Sequence, residues 1–257
     1  MSRIFNLENP FWQTMSKLGD IIMLNILWLV CCIPIITIGP STTALYYVML
    51  KRVRDEEGNI FQQFFRSFKL NFRQGAIVGI IMTVCGFLFL FDVMFYREAK
   101  GTVSDLFWFV SMMIFFVYLM VTIYIFPLIA KFENTVKNFF MFSFVMAVRH
   151  FGKTLIMALV TAGMIFLMYF VYPPLIFMFM GIIAYVNSKF LVDIFDMYIP
   201  DDKKEVRGQD QGFDEMEKAA AEGDAEDEPV HIVMDINNPE HVVLGEKKDD
   251  EQKYAVV

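Results

Sequence analysis

The sequence has few of the residues that carry enzyme chemistry. Its 257 residues include three His and three Cys. It contains no glycine-rich phosphate loop, no Gly-x-Ser-x-Gly, no His-Glu-x-x-His and no Cys-x-x-Cys. Cys31, Cys32 and Cys85 all lie inside apolar runs, where packing is the usual role of a cysteine. We therefore expect no catalytic residues, no metal site and no cofactor.

Charge is also absent over long stretches of the chain. Ile21–Leu50 has 30 residues without a charge, Gln74–Phe91 has 18, Leu106–Ala130 has 25 and Thr154–Ser188 has 35. The chain is 56% hydrophobic and its mean hydropathy is +0.48, whereas soluble domains are about 45–50% apolar. A membrane-spanning helix needs about 20 mostly apolar residues. The sequence therefore predicts an all-α, polytopic transmembrane bundle and excludes a nucleic-acid module.

Prolines divide two of the runs. Pro173-Pro174 interrupts the last one, which predicts helices near 154–171 and 175–195. Pro34 and Gly39-Pro40 interrupt the first, so Ile21–Ile38 can span once. Residues 41–50 then either begin a cytoplasmic helix or re-enter the membrane as a half-helix. The first alternative gives five spans and an external N-terminus, and the second gives six crossings and an internal one.

Three parts follow from the distribution of charge. Residues 1–19 are predicted to form an interfacial helix that ends at Gly19, and residues 20–200 form the transmembrane domain. Residues 201–257 hold 18 acidic and seven basic residues, which favours a disordered acidic tail. Lys and Arg number six in 51–73, two in 97–105 and four in 131–153. Positive loops face the cytoplasm, so 51–73, 131–153 and the tail are predicted to be cytoplasmic.

Both cytoplasmic loops, near 41–73 and 131–153, are predicted to contain amphipathic helices. In the second, Asn138–Val148 is uncharged but too short to span, so it should pack on neighbouring helices or lie in the interface. In the first, aromatic residues recur at helical spacing beside basic ones. This helix either rests on anionic lipid or docks a cytoplasmic partner. The residues of the predicted docking surface are Phe61, Phe64, Phe65, Arg66, Phe68, Lys69, Phe72 and Arg73.

Three sequence stretches resemble a known family. They are Phe11-Trp12 with Leu18–Trp28, then Cys32–Tyr47, then Arg54–Gly58 with Phe64–Gln74. Together they resemble the YesL-like family of bacterial integral membrane proteins. The resemblance implies a small polytopic protein of unassigned biochemistry, often encoded beside sugar ABC importers and polysaccharide-degrading enzymes in Gram-positive bacteria. It implies no catalytic residues and does not extend to the tail.

The polar residues of the resembling region have structural interpretations. Asp20 can cap the first span and Asn25 can hydrogen-bond between helices. Pro34 and Gly39-Pro40 shape the helix break, after which Ser41, Thr42 and Thr43 can cap the next helix. Irregular backbone at membrane depth needs protein or water around it, so the break is expected to be buried or at a partner interface.

Asp92, near an outer end, is the remaining acid of interest inside a span, and solvation at that end explains it. Because ionisable groups mark transport pathways, their scarcity argues against a proton- or sodium-coupled transporter.

The resemblance and the missing catalytic set lead to one functional expectation. The chain is predicted to be an accessory subunit of a carbohydrate ABC importer in the bacterial plasma membrane, binding permease subunits laterally. Membrane lipid and a soluble partner of the tail are further expected contacts. One alternative is a stand-alone small-solute transporter or channel with a path lined by Asn25, Thr37, Thr83 and Thr122. Another is a membrane-bound regulator of sugar uptake.

Overall fold

The computed structural model describes residues 10–54, 56, 58–98, 101–132, 134–171, 178–198, 232–234 and 242–244. Up to residue 198 the regular structure in these ranges is helical. The α-helices are α1 (Pro10–Cys31), α2 (Ile38–Val53), α3 (Ile60–Leu70), α4 (Phe72–Glu98), α5 (Thr102–Lys131), α6 (Val136–Arg149), α7 (Phe151–Phe166) and α8 (Phe179–Asp196). A 3₁₀ turn, Ile35–Thr37, precedes α2, and a π-helical turn, Leu167–Val171, follows α7.

The chain divides into two compact units. The first contains the residues up to Lys131 together with Val136–Val192. The second contains Phe132–Thr135 and the residues from Asp193 onward. In the second unit the rings of Phe132 and Phe195 meet edge to face with centroids 5.3 Å apart.

The predicted acidic tail, residues 201–257, lies mostly outside the described residues. Its described part is a two-stranded antiparallel ribbon of β1 (Ile232–Met234) and β2 (Val242–Leu244), with Val233 opposite Val243. The prediction of a disordered tail did not include this ribbon.

Two helices among the described residues, α4 and α5, are long and apolar enough to cross a membrane. They contain the predicted spans Gln74–Phe91 and Leu106–Ala130 and extend them at both ends. α6 and α7 qualify together, but the chain bends by 100° between them, so the described residues hold two candidate spans, or three if this pair is one span. The prediction of five spans is not confirmed by this number, and the Tyr172-Pro173-Pro174 link lies outside the described residues.

Helix α1 differs from the prediction of a separate interfacial helix. It begins at Pro10 and continues through Gly19 and Asp20 to Cys31. Gly19 has nothing within 4 Å of the position a Cβ would take, and a glycine inside a helix costs only about 1 kcal/mol relative to alanine. The prediction that Gly19 ends the helix was therefore wrong.

Helix α2 is the core of the first unit. It packs against α3, α4 and α5 as well as α1, and its side chains from Gly39 to Leu50 are buried except Tyr47. An amphipathic helix on a cytoplasmic surface would leave one face to solvent. Residues 41–50 therefore belong to a buried helix, and within the predicted segment near 41–73 the amphipathic helix is α3.

Helix α6 confirms that the loop 131–153 packs on its neighbours. Its buried side consists of Phe139, Phe142, Ser143, Met146 and Ala147, and it contacts α5, α7 and α4. The joint to α7 is held by Thr154, whose hydroxyl lies 2.7 Å from the Tyr124 hydroxyl of α5 and donates to the Ala147 carbonyl of α6 at 3.1 Å. One threonine thereby links three helices at the bend.

Candidate functional site

The first candidate site is the hairpin formed by α1 and α2. Two polar contacts connect its arms: the Trp28 indole donates to the Thr42 hydroxyl at 3.1 Å, and Arg52 Nε lies 3.3 Å from Asp20 Oδ2. The earlier residue of α1, Asp20, meets the later residue of α2, Arg52, so the two helices run antiparallel. Helix α2 therefore returns to the level of Asp20. Asp20 lies in mid-helix and pairs with Arg52, so the prediction that it caps a helix was wrong.

The turn of the hairpin is apolar and exposed. Ile33, Ile35 and Ile36 are 78%, 67% and 54% exposed, and Pro34 is exposed as well. Thr37 closes the turn by donating to the Cys31 carbonyl at 2.5 Å. Of the two expected surroundings of the break, burial within the chain does not apply to this turn, and a partner interface stays a prediction.

Gly39 and Pro40, by contrast, are buried within the first turn of α2. Ser41, Thr42 and Thr43 also lie inside α2 and do not cap it; Thr42 donates instead to the Ile38 carbonyl at 2.7 Å.

Gly39 and Pro40 form a close crossing with Gly75 and Gly79 of α4. A Cβ on Gly79 would lie 2.7 Å from Gly39 Cα, and one on Gly75 would lie 3.0 Å from Pro40 Cα. A Cβ on Gly39 would meet the Gly75 carbonyl. The two backbones thus touch without side chains between them. Gly75-Ala-Ile-Val-Gly79 is the Gly-x-x-x-Gly pattern of close helix pairs in membranes, a signal that the sequence analysis missed.

Asn25 confirms the expected hydrogen bond between helices. Its side chain is fully buried, and Oδ1 accepts the backbone N–H of Gly181 at 2.8 Å. Gly181 lies in the first turn of α8, where backbone N–H groups have no partner within the helix. Asn25 of α1 therefore caps α8 from outside. A Cβ on Gly181 would lie 2.9 Å from the Ile21 carbonyl oxygen, so this glycine lets the two helices approach.

Helix α3 confirms the predicted amphipathic helix, but the side it buries is not the one formed by all the phenylalanines. Asn59 caps it by accepting the Phe61 N–H at 3.1 Å. Its buried residues are Ile60, Gln63, Phe64 and Ser67. Of the predicted docking residues, Phe64 is fully buried and Phe68 partly buried, so Phe64 cannot dock anything. The remaining ones are exposed: Phe61, Phe65, Arg66, Lys69, Phe72 and Arg73.

The halves of α4 and α5 nearest to Gly101 form a hairpin with two internal polar contacts. Ser111 donates to Asp92 Oδ2 at 2.6 Å, and Tyr118 donates to the Met82 carbonyl at 2.8 Å. The Tyr118 ring lies over Gly86, where a Cβ would meet its Cζ atom at 3.1 Å. Asp92 was expected to be simply solvated; the structure gives it a hydroxyl partner on the neighbouring helix.

The four residues proposed to line a transport path have separate roles. Asn25 binds α8, Thr37 closes the hairpin turn, and Thr122 donates to the Tyr118 carbonyl of its own helix at 2.8 Å. Thr83 is exposed on α4. Within the described ranges, no three His, Cys, Asp or Glu side chains come close enough to hold a metal ion.

These features define a helical bundle around the buried helix α2, with two described helices, α4 and α5, that are long and apolar enough to cross a membrane. Residues 21–93 match the family described as "Protein of unknown function, DUF624". This range contains the Asn25 cap, the hairpin turn, α2, α3 and the glycine crossing. This match, together with the two relatives described next, confirms the resemblance to the YesL-like family that the sequence predicts.

Two proteins of Bacillus subtilis (strain 168) are similar to the chain. "Uncharacterized protein YesL" is 28% identical over 170 residues, which are 65% of this chain and 80% of that protein. "Uncharacterized protein YteU" is 23% identical over 169 residues, which are 64% of this chain and 76% of that protein. No solved structure matches the chain.

Proposed function

We propose that the chain is a non-enzymatic accessory subunit of a carbohydrate ABC import system and binds the permease subunits laterally in the plasma membrane. The sugar-importer setting rests on the gene neighbourhood that the YesL-like resemblance implies. The lateral mode of binding rests on the outer hairpin of α4 and α5. We expect the C-terminus to face the cytoplasm, as the distribution of Lys and Arg predicts.

The observation that carries the lateral mode is the apolar exterior of this hairpin. Only 17% of the most apolar stretch of α4 is buried in the protein. Phe87, Phe91 and Met94 of α4 are at least 63% exposed, as are Val103 and Leu106 of α5. The polar groups Asp92 and Ser111 are turned toward each other. Methionine side chains adapt their shape to a partner, and phenylalanine rings offer a large apolar area for packing, which suits a helix interface within lipid.

A pull-down from native membranes in mild detergent tests this function. The tagged chain should retain the two permease subunits and their ATPase, identified by mass spectrometry. The double variant Phe87→Ala/Phe91→Ala should lose them. Phe166→Ala/Phe170→Ala is the matched control, because it removes another exposed pair of phenylalanines four residues apart and should retain the complex. Recovery of the chain without any permease contradicts the proposal.

A stand-alone transporter is the second candidate, favoured by polar groups in the interior. Thr43 of α2, Ser143 of α6 and Ser188 of α8 have buried hydroxyls with no hydrogen-bond partner among the described residues. Buried hydroxyls normally have a partner, which water or a solute can provide. Sugar flux into proteoliposomes that contain only this protein, reduced by Thr43→Val, would favour this candidate. Absence of flux together with retained permeases would favour the accessory subunit.

A further inference from the structure

The surface of helix α3 divides into a buried, an aromatic and a basic side. The buried side, which packs against the helix bundle, contains Ile60, Phe64 and Ser67. At 100° per residue, Phe61 and Phe65 occupy the adjoining side, and each is more than 40% exposed. Arg66 and Lys69 are three residues apart and share the next side, where both are exposed. An exposed aromatic strip thus separates the buried side from the basic side.

The aromatic strip is continuous with the surface of a candidate membrane span. The Phe65 ring meets the buried Phe64 ring edge to face with centroids 5.7 Å apart. Phe64 stacks on Phe68 at 6.3 Å, and Phe68 meets Phe72 edge to face at 5.5 Å. Phe72 begins α4, whose next exposed apolar residues are Ile77, Ile80 and Ile81. Because α4 is long and apolar enough to cross the membrane, this row of rings extends from the span to its edge, where hydrocarbon gives way to headgroups.

We propose that α3 is a binding surface for the anionic headgroups of membrane lipid. Phe61 and Phe65 insert at the level where the acyl chains begin, and Lys69, Arg73 and Arg66 contact the phosphate groups above them. An amphipathic helix with phenylalanine beside basic residues has the composition of an interfacial helix, and long basic side chains extend from apolar surface toward charge. Residues 51–73 contain six basic and three acidic residues, so the segment is attracted to a negative surface.

A docked protein would have to cover the exposed phenylalanines and displace lipid from the adjoining face of α4. Lipid can bind both sides of the helix at once, because its acyl chains contact the aromatic side and its phosphate groups contact the basic side. The proposal stands apart from the importer role, because it concerns the lipid and requires no permease.

Hydrogen exchange of the full chain in lipid nanodiscs tests the proposal. One set of nanodiscs contains phosphatidylcholine alone, and in the other about a third of the lipid is phosphatidylglycerol, which is anionic. Each cation at an anionic surface contributes about fivefold in affinity, so exchange over residues 60–70 should slow about fivefold or more with phosphatidylglycerol. Raising the salt to about 1 M, where the screening length falls to about 3 Å, should remove most of this difference without any mutation.

Variants locate the effect. Lys69→Gln/Arg73→Gln should abolish the response to phosphatidylglycerol, and both residues are exposed, so the fold should persist. Lys137→Gln/Arg149→Gln removes the same charge from exposed positions of α6 and should keep the response. Equal exchange in both nanodiscs overturns the proposal. Protection that appears only in native membranes containing the importer assigns the surface to a protein and also overturns it.

Discussion

Arg52 of α2 and Asp20 of α1 form an ion pair at the open end of the hairpin, with Nε and Oδ2 3.3 Å apart. Arg52 also donates to the Gly58 carbonyl at 3.0 Å and so connects the start of α3 to the same level. From Asp20 to Cys31, α1 rises about 17 Å at 1.5 Å per residue, which is about half of a 30 Å hydrocarbon core. The hairpin is therefore too short to cross a membrane and return.

This geometry predicts that the N-terminus and the 51–73 segment lie on the same side of the membrane. In a background with Cys31, Cys32 and Cys85 replaced by alanine, single variants Lys17→Cys and Asn59→Cys should react with an impermeant maleimide only when the cytoplasmic face is opened. Thr102→Cys should react in intact cells, because residues 97–105, with only two Lys and Arg, are predicted to lie outside. Reaction of Lys17→Cys in intact cells would instead support the five-span alternative with an external N-terminus.

The glycine crossing should tolerate no side chain. Gly79→Ala places a methyl group 2.7 Å from Gly39 Cα, and backbone cannot move aside as a flexible side chain can, so we expect a loss of about 1–3 kcal/mol in unfolding free energy. The thermal unfolding temperature in detergent measures it. Gly163→Ala is the control: that helical glycine has nothing within 4 Å of a Cβ, so the variant should be stabilised by up to about 1 kcal/mol. Equal behaviour of the two variants would contradict the crossing.

The hydrogen bond by which Asn25 caps α8 should contribute measurably to the unfolding free energy. Asn25→Leu keeps the approximate volume but leaves the Gly181 N–H without its acceptor, so we expect a loss of about 1–3 kcal/mol. Thr122→Ala removes a hydroxyl that bonds only within its own helix and should change the unfolding free energy by less than about 0.5 kcal/mol. If both variants unfold at the wild-type temperature, Asn25 does not hold α8.

The Asp92–Ser111 contact predicts a difference between two conservative variants. Ser111→Ala removes the donor to a carboxylate and should cost about 1–2 kcal/mol of unfolding free energy, since bonds to charged groups exceed neutral ones. Asp92→Asn retains an oxygen acceptor for the hydroxyl and should cost less. Thermal unfolding of both variants distinguishes them, with Ser104→Ala, about two helix turns from Ser111 on α5, as the control. A larger loss for Asp92→Asn than for Ser111→Ala would contradict the assignment.

The helices themselves could be predicted from the sequence because hydropathy dominates their placement. Uncharged runs located α4 and α5, and aromatic spacing located α3. The orientation of α3 could not be predicted, since Gln63 and Ser67 are buried on the bundle while Phe61 and Phe65 are exposed. In a membrane protein an exposed phenylalanine costs little, because lipid replaces water as its surroundings. The rule that apolar residues face the core therefore does not predict which side of a helix is buried when the other side contacts lipid.

The candidate site was predictable at Asn25 and unpredictable at Asp20. A single amide in an apolar helix has few ways to satisfy its hydrogen bonds other than with a neighbouring helix, so its role followed from local chemistry. Asp20 could either cap a helix or pair with a cation, and the choice depended on α2 returning beside α1. That return depends in turn on Gly39 meeting Gly75 and Gly79, which are distant in sequence.

The burial of α2 also has a consequence for biogenesis. This helix has only 16 residues, carries Ser41, Thr42 and Thr43 on its first turns, and is covered by α4 and α5. When α2 leaves the ribosome, the helices that will enclose it have yet to be translated. A segment this short and polar gains little from lipid alone. The hairpin of α1 and α2 should therefore remain at the translocon until α5, which ends at Lys131, has been translated. Insertion of the N-terminal segment then depends on a later part of the same chain.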